Sequence, residues 1–382
     1  MPWHETDPVN ERVKFIAAHQ SGLFSMSELC QRSSISRPTG YKWLARYAES
    51  GVDGLKDLSH APKHCPHRIA EDVAAALVAA RRAHPTWGPR KLLSWVAAKR
   101  PELELPAAST FGDLLMREGL VEPRRRRARA KHPGADRLVT ESPNEVWTVD
   151  FKGEFRMQDR RYCYPLTVAD AHTRFLLGCD ALFSTAAEGA RPCFVRLFSE
   201  YGLPAAIRSD NGSPFASPAR CGLSRLNVWW LKLGIAHQRI KPGSPQQNGM
   251  HERMHRTLKA ETTRPPGRDQ GAQQSIFDRF RAEYNTERPH EALEQKPPAS
   301  LYRVSTRSMP SALREPEYPG HYERRNVRGT GCFRFRGKVL FLSEVLAKEW
   351  IGLEETDDGI WSVYFFDRLL ARFDERTCTL SG

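Results

Sequence analysis

The sequence predicts a multidomain chain: α-helical helix-turn-helix units, then an α/β core on a mixed five-stranded sheet, then a small β-rich barrel of SH3-like type. Three observations carry this. Residues 9–120 hold short helical segments separated by Ser- and Pro-rich breaks, the texture turns to alternating strands at Pro143, and beyond Met309 strands fold back at Gly-containing turns. A length of 382 residues accommodates two to four domains, each with its own core. We place them at 1–60, 66–122, 140–305 and 309–382, with a basic linker at 123–139.

A net charge of +13 and a pI near 9.5 point to a polyanionic partner, either nucleic acid or an acidic membrane. No run of 18 apolar residues and no charged-then-apolar leader is present, so the expectation is no membrane partner and a cytoplasmic protein. The eight Cys lie scattered at 30, 65, 163, 179, 193, 221, 332 and 378 without a CxxC pair, which predicts reduced thiols. His60, His64, Cys65 and His67 sit in a Pro-punctuated linker and fit zinc spacings only loosely.

The first unit opens with an amphipathic helix carrying Val13, Phe15 and Ile16. A short helix begins at Ser27-Glu28-Leu29-Cys30, Ser33 to Ser36 supplies a turn, and Arg37 to Tyr47 makes the next helix. In a helix-turn-helix the second helix lies in the major groove with its amino-terminal residues at base edges. Arg37, Thr39 and Lys42, with Tyr41 beside them, are therefore the candidate DNA contacts, and Trp43, Leu44 and Tyr47 pack inward. A plain helical bundle is the structural alternative.

The second unit runs from Ile69 to Leu120, with a helix to about Ala83, a break at HPTWGP, a helix from Arg90 to about Lys99, and a third helix through Met116 that Ser109 can cap. The connector EPRRRRARAKHPG follows, and Arg124, Arg125, Arg126 and Arg127 are expected on DNA phosphates, where each neutralised charge releases counterions. Elsewhere such a run is most often a solvated linker.

In the α/β region, Glu145 to Phe155 alternates, with Trp147, Val149 and Phe151 on one face and Val146, Thr148 and Asp150 on the other. Strands Arg161 to Ala169 and Arg174 to Leu182 complete a meander around a tight turn at Asp170. A helix over 186–201, a short strand 205–208 and the turn Asp210-Asn211-Gly212 come next. A helix from Pro218 to Leu233, a strand near His237, a helix carrying Glu252 and a last helix over 272–284 close the layer. In the tail, hairpins are predicted at Arg336-Gly337 and Asp358-Gly359.

The stretch RIKPGSPQQNGMHERMHRTLK organises the chemistry. Ser244, Pro245 and Gln247 read as a capped helix start. On the helix that follows, Glu252, His255, Arg256 and Lys259 share a face, while Met250, Met254 and Leu258 form an apolar stripe. An isolated Glu252 paired with Arg256 would be an ordinary solvated helix. Asp150 at the end of one strand and Asp210 at the end of another change that reading, because strand ends and helix faces of one sheet converge. Three clustered carboxylates repel unless divalent cations neutralise them, and hard oxygen ligands suit Mg²⁺ or Mn²⁺. Two such ions, about 3.5–4 Å apart, stabilise the attacking and leaving oxygens of in-line phosphoryl transfer. His255 is a candidate phosphate contact with Arg256 and Lys259. Asp170, Asp180, Arg288 and His290 read as structural.

The phrases WTVDFKG, SDNGSPF, KPGSPQQNGMHERMHRTLK and YNTERPHEAL resemble those of insertion-sequence transposases with a retroviral-integrase-type core, and the opening PWHETDPVNERVKFI resembles the family numbered 481. The resemblance spans nearly all of the chain up to Tyr302. It implies a ribonuclease H-like fold and an Asp-Asp-Glu metal site at Asp150, Asp210 and Glu252, the positions reached above. It also implies that Lys259 touches transposon-end DNA and that Asn211 and Gly212 shape the loop beside the metals. The zinc-binding amino-terminal domain of retroviral integrases has no counterpart, and helix-turn-helix units stand in its place. The expected function is a DNA transposase that binds terminal inverted repeats, hydrolyses the ends and joins the freed 3′-hydroxyls to target DNA with two metal ions. It would act as at least a dimer on double-stranded DNA, associated with a bacterial nucleoid. The alternatives are a catalytically silent DNA-binding regulator and a ribonuclease H-like nuclease.

Overall fold

The computed structural model describes residues 7–58, 69–121, 138–217, 221–240 and 249–381, in two compact units, residues 1–68 and 69–382. The His60–His67 group, Arg124 to Arg127 and the expected cap at Ser244, Pro245 and Gln247 lie outside the described residues.

In the first unit, local capping sets each helix start. Asp7 accepts from the Val9 amide at the head of α1 (Pro8–Gln20), Ser25 and Glu28 form a reciprocal capping box on α2 (Met26–Arg32), and Ser36 caps α3 (Arg37–Ser50). The α2 cap lies two residues ahead of the expected Ser27, because Ser25 has its Glu partner three positions on. Phe15, Ile16, Leu29, Cys30, Trp43 and Leu55 form the core, whereas Val13 stays exposed. Gly40 allows α3 to cross tightly, since a Cβ there would stand 2.8 Å from Cys30 Sγ.

The second unit begins with α4 (Glu71–Ala83), α5 (Pro89–Lys99) and α6 (Ala108–Arg117), packed around Leu77, Trp87, Leu92, Val96, Phe111 and Leu115. Ser109 does not cap α6: the cap position is Ala107, which offers no side-chain acceptor, and Ser109 lies inside the first turn.

The sheet of the core contains β1 (Val146–Phe151), β2 (Phe155–Arg156), β3 (Tyr162–Asp170), β4 (Leu176–Leu182), β5 (Ala206–Ser209) and β6 (Ala236–Arg239). Its long strands run β4-β3-β1-β5-β6, antiparallel among the first three and parallel from β1 to β6, so the sheet is mixed as predicted. The two-residue β2 adds a sixth strand where Phe155 pairs with Cys163. One face packs Trp147, Val149 and Ile207 against α7 (Ala187–Tyr201) and α8 (Arg225–Lys232) through Phe194, Phe198 and Trp230. The other packs Leu176 and Cys179 against α9 (Gly249–Thr262) and α10 (Gln270–Thr286) through Met254, Leu258, Phe277 and Phe280. Helix α8 starts at Arg225, later than expected, because Ser224 and Asn227 form a capping box there.

The tail forms β7 (Glu323–Asn326), β8 (Cys332–Phe335), β9 (Lys338–Phe341), β10 (Trp350–Asp357), β11 (Ile360–Phe365), β12 (Arg368–Asp374) and β13 (Leu380–Ser381). They make a five-stranded antiparallel sheet, β13-β12-β11-β10-β7, and a separate β8-β9 hairpin over one core that includes Phe333, Leu353, Val363 and Phe373. The hairpin turns where predicted, with Arg336 and Gly337 both at positive φ. The same core takes in Leu223 and Val228 of the integral α/β layer, and Lys232 Nζ pairs with Glu349 Oε1 at 2.8 Å, tying this small β-rich domain to α8. Among the described residues no helix is long and apolar enough to cross a membrane.

Candidate active site

The parallel pairing of β1 with β5 builds the site. Val146 lies opposite Ala206, Trp147 opposite Ile207 and Thr148 opposite Arg208. Asp150 and Asp210 each follow this pairing by two residues, towards the carboxyl ends of the two adjacent parallel strands. Open α/β sheets bind ligands at that edge.

Each aspartate is held by its own network. Asp210 Oδ1 accepts from the Gly212 amide at 3.1 Å, and the Asn211 side chain donates to the Ile240 carbonyl at 2.8 Å, pinning the turn to the end of β6. The Ser209 hydroxyl donates to the Asp210 carbonyl at 2.9 Å and lies 2.9 Å from His237 Nε2. On β1, the Thr167 hydroxyl donates to the Asp150 carbonyl at 3.0 Å and stands 2.7 Å from His255 Nε2. His255 Nδ1 lies 3.8 Å from Asp150 Oδ2.

His255 departs from the face expected of it. It is buried, packed 5.3 Å from the His251 ring, and burial pushes its pKa down to about 2, so it is neutral at pH 7. It lies near Asp150 with its Nε2 against the Thr167 hydroxyl, and so presents no charge to phosphate. The helical turn is 3.6 residues, not four, so the i+3 position rotates towards the sheet. Glu252, Arg256 and Lys259 stay exposed on α9.

The three carboxylates are not drawn into one cluster. Among the described residues no group of three or more His, Cys, Asp or Glu side chains is gathered tightly enough to hold a metal ion. Asp150 and Asp210 carry the hard oxygen donors that suit a divalent cation, and Glu252, with the same donor chemistry, stands exposed on the first turn of α9. Asp170 is confirmed as structural: fully buried, it accepts from the Asn144 amide and from both the amide and hydroxyl of Thr173. Asp180 is engaged by Arg196 at 2.6 Å. Arg37 and Lys42 are exposed on α3, and Thr39 is half-buried with its hydroxyl 2.8 Å from that of the Ser36 cap.

Sequence reasoning missed the supporting residues Thr167 and His237. A Thr or His alternating onto the same strand face as a candidate carboxylate was the only available signal. It also left Arg288 as a generic helix terminus, whereas the structure buries it against Glu261.

Histidines withdrawn from water give the fold a pH dependence, His237 and His290 among them beside His251 and His255. Burial is the main cause that pushes His237 and His290 each down to about 3. Their unfolded values are about 6.5, so the unfolded chain binds more protons as pH falls. Stability from these sites is therefore complete above about pH 6.5 and declines towards pH 3, by about 1.4 kcal/mol per pH unit for each histidine. Urea unfolding between pH 7.5 and about 5 checks this. The slope should shrink in His290→Gln, and a slope unchanged in that variant would contradict the assignment.

Comparison with known proteins places the chain. The family model for the integrase core domain matches residues 140–245, and a second model of the same description matches 233–298. A helix-turn-helix domain model matches residues 11–63 and a homeodomain-like domain model matches 39–115. The insertion element IS476 uncharacterized 39.2 kDa protein of Xanthomonas euvesicatoria is 30% identical over 273 residues, covering 69% of this chain and 73% of that protein. The insertion element IS407 uncharacterized 31.7 kDa protein of Burkholderia multivorans is 30% identical over 214 residues, covering 52% of this chain and 70% of that protein. The Gag-Pol polyprotein of baboon endogenous virus is 28% identical over 215 residues, 56% of this chain but only 12% of the polyprotein. Among solved structures, the simian T-cell lymphotropic virus intasome in complex with PP2A regulatory subunit B56 gamma is similar at 14% identity and a TM-score of 0.39, covering 77% of this chain and 97% of that chain.

The fold and these matches define a DNA-recombining protein in which an integrase core is joined to helix-turn-helix modules. The chain belongs to the insertion-sequence transposases with a retroviral-integrase-type core, and so to the polynucleotidyl transferases of DNA transposition.

Proposed function

We propose that Asp150, Asp210 and Glu252 are the catalytic and metal-binding carboxylates of a transposase that hydrolyses phosphodiester bonds at the element ends and joins the freed 3′-hydroxyls to target DNA. The observation that supports this reading is the β1–β5 register, in which Asp150 and Asp210 each lie two residues beyond the pair Thr148 and Arg208, towards the carboxyl edge of the sheet. When bound, two Mg²⁺ or Mn²⁺ ions would neutralise these acids and stabilise the attacking and leaving oxygens of an in-line displacement.

The chain's own groups supply the rest. The Gly212 amide fixes one Asp210 oxygen and Asn211 fixes its turn, while Thr167 and His255 hold Asp150. Exposed Arg256 and Lys259, one and two turns beyond Glu252, meet the backbone phosphates of the bound end. Arg37, Thr39 and Lys42 on α3 read base edges of the terminal inverted repeats, with α3 as the groove helix. Arg124 to Arg127 lie on phosphates. Both element ends must be held at once, so the active species is at least a dimer on DNA.

The test is strand joining on duplex oligonucleotides carrying the inverted repeats that flank the gene, with Mg²⁺. Joined products support the reading, and cutting of RNA–DNA hybrids without any joining would replace it with a nuclease. The second reading is a catalytically silent DNA-binding regulator, since among the described residues Asp150, Asp210 and Glu252 do not form one metal-holding group. Tight end binding with neither cutting nor joining would establish it. Removing residues 1–57, nearly the whole first unit, should cost sequence preference before it costs joining of pre-cut ends. Equal preference for element ends over random duplex in the full and shortened chains would show that α3 is not the reader.

A further inference from the structure

The segment Glu287-Arg288-Pro289-His290 at the end of α10 is not used by the chemistry above, yet it sits at a junction of three elements. Arg288 Nη1 pairs with Glu261 Oε1 at 2.8 Å, with the two side chains only 8% and 19% exposed. Glu261 belongs to α9, about two and a half turns beyond Glu252. The same Glu261 oxygen accepts from the Thr86 hydroxyl, which comes from the α4–α5 break of the second helical unit. The Arg288 guanidinium also lies over the Trp87 ring, 5.5 Å from its centroid.

Around this centre the α4–α5 side of the helical unit is laid along α10. His84 Nδ1 lies 2.9 Å from Glu283 Oε1, Trp95 Nε1 donates to Glu287 Oε2 at 3.3 Å, and Arg90 stands 3.4 Å from Glu291. Glu283 on the last turn of α10, Glu287 at its cap and Glu291 just beyond Pro289 each receive a side chain of the unit. Helix α6 presents Ser109, Asp113, Met116 and Arg117 to solvent, leaving a face open for DNA.

We propose that Arg288 is a positioning residue: through Glu261 it couples DNA engagement by the second helical unit to the setting of α9, and so to the place of Glu252. The inference rests on reading Glu252 as the third carboxylate. Asp150 lies on a strand of the sheet and Asp210 just past the end of another, whereas Glu252 lies on the first turn of a helix packed on its face, so α9 is the element whose setting places it. A buried guanidinium paired with Glu261 and laid over the Trp87 ring transmits orientation better than an exposed pair, because its planar fork fixes direction as well as distance.

The test uses the full-length protein, duplex carrying the flanking inverted repeat, and amide hydrogen exchange over residues 249–256 with and without that duplex. In the unaltered chain, duplex binding should slow exchange in this turn. In Thr86→Val, a change at an exposed side chain, and in Arg288→Ala, the slowing should disappear while affinity for the duplex stays within about twofold. Joining of pre-cut ends should then fall by up to about 10²-fold in kcat with little change in KM, the scale of a misplaced catalytic group. Arg288→Lys, which keeps the charge but not the fork, should recover part of both effects. Slowing that survives in Thr86→Val and Arg288→Ala overturns the coupling, and so does loss of joining that merely tracks loss of duplex affinity. If Arg288→Ala does not fold, Thr86→Val decides. Glu252→Gln separates the two readings: normal joining by this variant removes Glu252 from the site, while its duplex-induced slowing still reports on the coupling.

Discussion

Asp210→Asn will abolish end cleavage and strand joining, by at least about 10³-fold, while binding to duplex ends stays nearly unchanged. The amide of Asn is close in shape to the carboxylate, and its oxygen can still accept from Gly212, so the turn that Asn211 pins to Ile240 should persist. What is lost is one negative charge just past the carboxyl end of β5, the strand that pairs with β1. A neutral amide is a poor ligand for a hard cation and no longer compensates its charge. Gel-shift and joining assays on the same protein read the two effects separately. Persistent joining would remove Asp210 from the site.

The second large effect is on stability. Asp170→Ala should destabilise the core by about 4 kcal/mol, because it strands several buried donors at once. Asp170 has no solvent exposure, and its oxygens accept from the Asn144 amide at 2.7 Å, the Thr173 amide at 2.7 Å and the Thr173 hydroxyl at 2.6 Å. Asn144 in turn accepts from Trp147 Nε1 and from the Tyr302 hydroxyl, so the lost acceptor loosens the start of β1. Urea unfolding measures this directly. A loss below about 1 kcal/mol would mean that water replaces the carboxylate, and that the β3–β4 turn does not depend on it.

Much of the architecture was legible because its causes are local. Ser36 ahead of α3, the alternation through Trp147 and Val149, and the Arg336-Gly337 turn each act within a few residues, and each appears where expected. Where a local cause was misjudged, another local cause explains it: the Ser25–Glu28 box moved α2 forward, and Ser224–Asn227 delayed α8. The face of α9 was legible for its apolar stripe, since Met254 and Leu258 are buried, but not for His255. Imidazole is compatible with either environment, and only the presence of Thr167 opposite it makes burial favourable.

The sequence by itself determined that this chain carries helix-turn-helix units, a mixed α/β core and a β-rich tail, and which three acids were candidates for metal chemistry. Periodicity, caps and turn residues write that information into short stretches of chain. Only the tertiary structure decided that β1 and β5 pair in parallel, that His255 is buried beside Thr167, and that Arg288 joins the second helical unit to α9. Those facts depend on strand register and on buried charges finding partners far away in the chain, and neither is fixed until the core has packed.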